Sequence, residues 1–360
     1  MKKIVCFHLF NDYSGSPKVL KLVLEGMLRR GYKIDMVSSR GGPLDELRRY
    51  NNYTKYSYTY RFSNNAILTM VRYLFIQLYT FIFAFRWVFY EDVVFYINTL
   101  LPIGPALAGR LMGKHVIYHY HENASAKGAF YKILAFLMQK LAHDIICVSS
   151  YQASFLKRKK NVFIVPNALP QEFVSELRPC PNVAFDRQRV LMLGSLKLYK
   201  GPLEFIQLAQ QLPHYNFDLV VNDTEDNISK FIEAHQLTIT KNLSIHPRQN
   251  NVVPFYNQSS IVLNLSNKDL VVETFGLTAL EAMSAGLPII VPTVGGIAEM
   301  VDDGINGYKI DVHDFNKILE YITIILSDKS LYLKLAHNAL FVSQKYKETS
   351  MIENIISHLI

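Results

Sequence analysis

Short apolar runs alternate with amphipathic segments along almost the whole chain, in two successive blocks. The first block opens with an apolar run at residues 4–10 and closes near Asn167. The second block restarts at Arg189 and passes into a helical region from residue 314. Strands that alternate with helices predict parallel sheets with helices on both faces. Two blocks of similar size therefore predict an α/β protein with two Rossmann-like, doubly wound domains.

The length of 360 residues also favours two domains. Residues 170–188 contain three prolines and little periodicity, so we predict a linker there. The first domain is then expected over residues 1–169 and the second over residues 189–342. We expect residues 343–360 to form a C-terminal helix that packs back toward the first domain.

Residues 66–90 are the most apolar stretch of the chain. Arg72 and Arg86 leave an uninterrupted run of 13 residues between them, which is well short of the roughly 20 needed to span a bilayer. We predict a long helix that packs mostly on the sheet, because aromatic stripes usually belong to a core. The alternative is an aromatic-rich face that lies on a membrane surface.

The net charge and the cysteine content indicate which binding partners and which cellular compartment to expect. The net charge is +8, which nucleic acid, anionic lipid or a polyphosphate-bearing substrate would each explain. The basic clusters lack a recognised nucleic-acid-binding module, so no nucleic-acid partner is expected. Three cysteines without metal-ligand spacing indicate free thiols in a reducing cytoplasm. The apolar opening of the chain is short and lacks a cleavage site, so we predict a strand rather than a signal peptide.

Two carboxylates flank a short turn in the second block. Glu273 precedes Thr274-Phe275-Gly276, which leads into a helix of small residues that contains Glu281. The start of a helix presents unpaired N–H groups and the positive end of its dipole, and such a place binds phosphate. Carboxylates accept hydrogen bonds from hydroxyl groups. The stretch therefore predicts a site for a sugar phosphate or a sugar nucleotide.

Two further positions lie where strands of the first block end. Gly15 follows the first apolar run in a turn-rich loop and would let a backbone approach a ligand closely, although a plain tight turn is equally consistent. A full G-x-G-x-x-G is absent, so dinucleotide binding is not supported. His115, His119 and His121 share one face of a strand. We favour His121 as a functional residue because it lies at the carboxyl end.

Several motifs together resemble those of the retaining GT-B glycosyltransferases of family 4, also called glycosyl transferases group 1. They extend over nearly the whole chain and are most specific in the second block. In chain order they are His121-Glu122, Pro166-Asn167-Ala168, Gly194-Ser-Leu-Lys-Leu-Tyr-Lys200-Gly201, Glu273 to Glu281, Gly295-Gly296-Ile-Ala-Glu299 and Asp303-Gly304-Ile-Asn306-Gly307.

The resemblance implies a GT-B fold, in which two Rossmann-like domains face each other across a cleft. The second domain would bind a nucleotide-sugar donor and the first an acceptor. Glu281 would bind the ribose hydroxyls, Glu273 would face the transferred sugar, and Lys200 would neutralise the diphosphate leaving group. His121 would position the sugar, and Arg248 would lie near the base.

The turn after Glu273 would contribute further donor contacts. The resemblance places Thr274 and the backbone N–H groups of Phe275, Gly276 and Leu277 near the phosphates or the sugar. The chain departs from the family pattern in the loop before Lys200, where Ser195 occupies the position of the arginine usual in the family. Lys197 could replace that arginine, but as a point charge rather than a bidentate partner.

The implied activity is retaining transfer of a hexose-type sugar to a glycan or lipid-linked acceptor, in surface polysaccharide, lipopolysaccharide or glycolipid biosynthesis. No D-x-D pair stands at a plausible strand end, so neither a metal nor another cofactor is expected. We expect a cytoplasmic enzyme, with possible peripheral contact on the inner, anionic face of the membrane. The alternatives are a GT-B enzyme of other chemistry, such as a nucleotide-sugar epimerase or a phosphorylase, and an inactive sugar-nucleotide-binding subunit, which Ser195 keeps open.

Overall fold

The structure is a computed structural model that describes residues 3–63, 65–124 and 128–359. The chain divides into two compact units. The first unit comprises Met1–Asn167 together with Glu348–Ile360, and the second comprises Ala168–Lys347. Each unit contains one parallel sheet with helices, so the predicted α/β class with two doubly wound sheets is confirmed.

A seven-stranded parallel sheet forms the centre of the first unit. Its spatial order is β3-β2-β1-β4-β5-β6-β7. The order reverses between β1 and β4, and ligands of such sheets bind beside the carboxyl ends of the strands at this switch point. The strands are β1 (Lys3–Phe7), β2 (Lys33–Ser39), β3 (Tyr53–Tyr58), β4 (Val93–Asn98), β5 (His115–Tyr120), β6 (Asp144–Cys147) and β7 (Val162–Ile164).

Five helices cover this sheet within the N-terminal part of the chain. The single tryptophan, Trp87, is buried against the rings of Phe7 and Phe95, and its indole N–H donates to Asp35 at 2.8 Å. The fluorescence of Trp87 therefore reports on the core of the first unit. The helices are α1 (Gly15–Arg29), α2 (Ala66–Ala84), α3 (Ile103–Leu111), α4 (Ala129–Leu141) and α5 (Ser150–Ser154).

Helix α2 differs from expectation. The prediction that residues 66–90 pack mostly on the sheet is wrong, because only 22% of the most apolar 18-residue window is buried. Only one face of α2 contacts the unit, through residues such as Tyr73 and Ile76.

Helix α5 is short and ends at Ser154. Beyond it, Arg158 donates to the carbonyl groups of Ala142 and Lys160 at 2.7 Å each, which fixes the turn that follows.

The second unit is built on a six-stranded parallel sheet of order β10-β9-β8-β11-β12-β13. Here the order reverses between β8 and β11, so the carboxyl ends of these two strands mark the second switch point. The strands are short, with three to six residues each. They are β8 (Arg189–Gly194), β9 (Asn216–Val221), β10 (Leu243–His246), β11 (Ile261–Leu263), β12 (Ile289–Val291) and β13 (Gly307–Lys309).

Eight helices belong to the second unit, and the segment expected as a linker forms the first two. In that segment, the Ala184 carbonyl accepts from the Ser260 hydroxyl at 2.6 Å, and Phe185 packs on Tyr332. The helices are α6 (Gln171–Glu176), α7 (Pro181–Asp186), α8 (Pro202–Gln211), α9 (Glu225–Ala234), α10 (Val253–Gln258), α11 (Leu277–Ser284), α12 (Phe315–Ser327) and α13 (Lys329–Ser343).

The last helix, α14 (Glu348–Ser357), is part of the first unit and packs on α1. Its buried side chains are Met351, Ile352 and Ile355. Gly26 of α1 makes this approach possible, because a Cβ atom there would lie 2.2 Å from the Cδ1 atom of Ile352.

Candidate functional site

The start of α11 lies at the carboxyl edge of the second sheet, where the chain returns after β11. Gly276 precedes the helix with φ of 97°, a region that favours glycine. A Cβ atom there would lie 2.5 Å from the Cγ1 atom of Ile297, so a side chain does not fit. Leu277 begins the helix, and the first helical hydrogen bond runs from the Ala279 N–H to the Gly276 carbonyl at 3.1 Å. The N–H groups of Leu277 and Thr278 precede this bond, as is usual at a helix start. The predicted helix start is therefore present in the fold, and its role in binding phosphate stays a prediction.

Glu273 is fixed in front of this helix by both its side chain and its backbone. Its carboxylate forms an ion pair with the Lys200 ammonium group and accepts from the Ser266 hydroxyl at 3.2 Å. Its carbonyl group accepts from the Gly296 N–H at 2.8 Å. A Cβ atom at Gly295 would lie 2.6 Å from that carbonyl oxygen, so glycine is required for the close approach. The structure thus brings Glu273 and Lys200 together.

The two predicted lysines lie in the loop after β8. The ammonium groups of Lys197 and Lys200 are 5.7 Å and 5.9 Å from the centre of the Tyr199 ring. The Tyr199 carbonyl accepts from the Asn267 N–H at 2.8 Å, which ties this loop to the one that follows β11. Two positive charges therefore share one aromatic ring beside the switch point.

Glu281 is held by a tyrosine from a different helix. The Tyr256 hydroxyl of α10 donates to the Glu281 carboxylate. Burial raises the pKa of Tyr256 well above its usual range, and the negative charge of Glu281 raises it further. The phenol therefore stays a donor at any physiological pH, and Glu281 keeps a fixed orientation in the second turn of α11.

The remaining residues predicted to bind the sugar donor differ in which of their groups could contact a ligand. Arg248 follows β10, and its Nε donates to the Asn222 side chain at 2.7 Å, at the same carboxyl edge. Thr274 is half-buried beside Glu273. The Phe275 ring is buried against Tyr346, with 5.8 Å between ring centres, so only its backbone could contact a ligand.

In the first unit, a row of polar side chains lies at the switch point between β1 and β4. The Nε2 atom of His121 lies 3.0 Å from the Asn98 Oδ1, and the Asn98 Nδ2 lies 3.1 Å from the Nδ1 of His8. The ring of His119 lies 4.1 Å from that of His121, and its Nδ1 is 2.7 Å from the Tyr96 hydroxyl. A single amide thus bridges two imidazoles.

Burial sets the charge of these histidines. It lowers the pKa of His8 from 6.5 to about 4 and the pKa of His119 from 6.5 to about 3. Burial, and then the neighbouring His119 and His8, also lower the pKa of His121 well below its usual range. All three rings are therefore neutral at pH 7 and can act through hydrogen bonds rather than through charge.

These shifts predict that the first unit loses stability in mild acid. The unfolded chain protonates a histidine near pH 6.5, whereas folded His8 stays neutral until about pH 4, so stability is lost as the pH falls between these values. At about pH 5 the loss is about 2 kcal/mol for His8, and a similar loss applies to His119. Urea titrations followed by Trp87 fluorescence measure it. His8→Gln should show a shallower dependence, and equal midpoints at pH 7 and 5 would contradict the prediction.

Gly15 and His115 lie apart from the contacts described so far. Gly15 opens α1, and a Cβ atom added there would meet nothing within 4 Å, so space does not require glycine. Its role in donor binding stays a prediction. His115 lies at the amino end of β5, where its Nε2 is 2.7 Å from an Asp144 oxygen. This position is at the opposite end of the strand from His121.

Several residues of these constellations were not predicted. His8 and Asn98 directly follow or end buried strands, and Ser266 comes just after one, so the strand-end rule applied to His121 could have found them. Tyr256 gives no such signal, because it lies in the middle of a short helix. Within the described residues, no three His, Cys, Asp or Glu side chains are grouped to hold a metal ion.

Two family models together match most of both units. Residues 13–173 match the family model Glycosyltransferase Family 4, and residues 175–340 match the model Glycosyl transferases group 1. D-inositol 3-phosphate glycosyltransferase of Xylanimonas cellulosilytica is 27% identical over 47% of this chain and 41% of its own length. Poly(glycerol-phosphate) alpha-glucosyltransferase of Bacillus subtilis is 23% identical over 61% of this chain and 31% of its own length. The matches thus span less than half of these relatives.

Among solved structures, HepE of Anabaena in complex with UDP and glucose superposes with a TM-score of 0.77. The superposition covers 100% of this chain and 99% of that chain, at 18% sequence identity. At this identity the likeness shows a shared fold.

Proposed function

The chain belongs to the group 1 glycosyltransferases of the GT-B fold, and on this basis we propose that it moves a hexose-type sugar from a nucleotide-sugar donor to a glycan or lipid-linked acceptor. The observation that carries the proposal is the Lys200–Glu273 ion pair in front of the α11 start. A cation and a helix N-terminus together suit a diphosphate, and a carboxylate suits sugar hydroxyls.

Each donor residue takes a part that its contacts support. Lys200 neutralises the diphosphate. Lys197, beside the same aromatic ring, takes the part of the family's usual arginine, whose position Ser195 occupies. The backbone N–H groups at Gly276 and Leu277 bind a phosphate or the sugar. Glu281, oriented by Tyr256, accepts from the ribose hydroxyls. UDP is the natural first probe, because HepE binds it.

We propose transfer with retention and without a metal ion. The acceptor oxygen attacks the anomeric carbon from the side of the leaving group, and the bond from that carbon to the phosphate oxygen breaks. The acceptor proton moves to the departing phosphate oxygen, and the nucleoside diphosphate is released. Glu273 is paired with a lysine, which supports a role in holding the sugar and the cation rather than in attacking carbon. Lys200 stabilises the charge that develops on the diphosphate.

The first unit is proposed to serve the acceptor, in a cytoplasmic enzyme of surface polysaccharide or glycolipid biosynthesis. Support comes from the switch point, where the buried Nε2 of His8 has no hydrogen-bond partner among the residues described. Thr99 follows Asn98 at the end of β4 and adopts φ of 73°. This conformation is costly for a β-branched residue, and such strained residues concentrate at functional sites. His121 is proposed to orient a sugar hydroxyl there as a neutral imidazole.

A calorimetric scan with nucleotide sugars tests the donor assignment. UDP-glucose at about one hundred times its Kd should stabilise the unit that binds it by about 2.7 kcal/mol. The transition of the second unit should therefore move to higher temperature, while Trp87 fluorescence reports the first unit separately. If no UDP-, GDP-, ADP- or TDP-sugar raised the temperature of either unfolding transition, the proposed donor assignment would be contradicted.

Product analysis separates transfer from its alternatives. Slow hydrolysis of the donor by the purified protein, lost in Glu273→Ala, excludes an inactive binding subunit. Release of sugar phosphate from a glycan when phosphate is added would instead identify a phosphorylase. Conversion of one nucleotide sugar into its epimer would identify an epimerase.

A further inference from the structure

The outward face of α2 is apolar from end to end. The helix and its following turn, Ala66–Trp87, are 22 residues long and apolar enough, by length and composition, to cross a membrane. A helix of a soluble unit normally turns a polar face outward, and this one does not. Its large apolar side chains with more than half of their surface exposed are Ile67, Val71, Leu74, Phe75, Leu78 and Ile82.

Exposed apolar side chains also occur on the two helices that follow. Helix α3 packs on α2 and exposes Leu107 and Leu111, and α4 packs on α3 and exposes Ile133 and Phe136. Just after α2, Phe89 is 93% exposed. Exposed apolar side chains concentrated on three successively packed helices indicate an interaction site.

The inward face fixes how α2 can meet a partner. The Tyr73 hydroxyl donates to the Leu101 carbonyl at 2.9 Å, and the Gln77 side chain accepts from the Gly104 N–H at 2.9 Å. A Cβ atom at Gly104 would lie 2.1 Å from the Gln77 carbonyl oxygen, so the two helices are in close contact. Crossing a bilayer would break these contacts, whereas lying along an interface keeps them.

Charge decides between possible partners. None of α2, α3 and α4 contains Asp or Glu, whereas they contain Arg72, Arg110, Lys132 and Lys140. Arg86 adds an exposed cation in the turn after α2. Two copies of this surface would bring like charges together. Glu91 and Asp92 follow Phe89 in the turn after α2, but the three helices themselves contribute only cations. An apolar face on helices with only cationic charges complements the surface of an anionic bilayer.

We propose that the α2–α3–α4 surface docks on an anionic lipid bilayer, with α2 lying flat in the boundary between headgroups and acyl chains. The apolar side chains of α2 enter this boundary, and the arginines and lysines contact lipid phosphates. A lipid-linked acceptor would then meet the enzyme at the membrane. This inference does not depend on the donor chemistry, because it rests on a surface separate from Lys200 and Glu273.

Vesicle flotation tests the proposal with the intact protein. Wild-type protein should float with phosphatidylglycerol-containing vesicles at low salt, and less with pure phosphatidylcholine vesicles or at high salt. The double variant Phe75→Gln, Ile82→Gln should bind at least about tenfold more weakly. Phe341→Gln is the matched control, because Phe341 is 71% exposed on the second unit. It should float like wild type.

Each of three outcomes would overturn the proposal. The first is failure of the wild-type protein to float with the anionic vesicles, and the second is equal flotation of the double variant. The third is a dimer, seen by sedimentation, that the double variant loses while vesicles bind neither protein. Trp87 fluorescence checks that the double variant is folded. Unchanged binding of UDP-glucose by this variant keeps the test separate from that of the donor site.

Discussion

Replacing Lys200 with alanine is expected to lower kcat/KM for sugar transfer or donor hydrolysis by about 10²- to 10³-fold. The ammonium group is paired with Glu273 and lies beside the start of α11, so it is the cation best placed for a diphosphate. The variant should also lose affinity for inorganic diphosphate, because the contact made there does not depend on the nucleoside. Steady-state kinetics and calorimetric titration measure the two effects.

Two controls make this prediction specific. Lys197→Ala removes the second ammonium group at the Tyr199 ring but leaves the Glu273 ion pair intact, so its effect should be smaller. Lys200→Arg keeps the charge and should recover part of the activity. Equal activity of wild type and Lys200→Ala would contradict the assignment, as would a larger effect at Lys197.

Replacing Glu281 with alanine should weaken binding of UDP by about 10- to 100-fold, since hydrogen bonds to a charged acceptor contribute about 1.5–3 kcal/mol each. The effect should appear as a higher Kd for nucleotides in titration calorimetry. Binding of inorganic diphosphate should change little, which is the opposite of the Lys200→Ala pattern. A variant that lost diphosphate affinity and kept that for UDP would show that Glu281 does not serve the ribose.

Tyr256→Phe is the matched control for Glu281. It removes the hydroxyl that donates to the carboxylate and leaves the ring in the core. Glu281 would keep its charge but lose one fixed partner, so the nucleotide Kd should rise by less than in Glu281→Ala. An effect of Tyr256→Phe larger than that of Glu281→Ala would indicate a structural defect rather than lost ribose binding.

Chain order explains why much of the donor site could be predicted. The loop with Lys200 follows β8, and the stretch from Glu273 to Glu281 follows β11. Parallel strands place the loops that follow them at one edge of the sheet, and β8 and β11 are neighbours at the switch point. Strand order therefore explains why these segments lie close together, whereas the resemblance to the family supplied the expected role of Lys200.

The contacts that could not be predicted are those that no strand-end position in the sequence indicates. The Tyr256 hydroxyl of α10 donates to Glu281 of α11, and no pattern in the sequence of α10 indicates this contact. The ion pair of Lys200 with Glu273 also depends on side-chain geometry. From the sequence, each residue was expected to contact the donor, but a direct contact between them was not predicted. The exposure of α2 was missed because apolar periodicity alone does not distinguish a core face from an interface.

The packing of α14 on α1 also affects how the protein is made. The ribosome releases the whole of the second unit, residues 168–347, before α14 emerges. Until then, the face of α1 around Gly26 lacks Ile352 and Ile355, so apolar surface of the first unit stays uncovered during synthesis. The first unit is thus completed only after the second unit has been synthesised, and a fragment that ends at Asn167 would lack the helix that covers the α1 face.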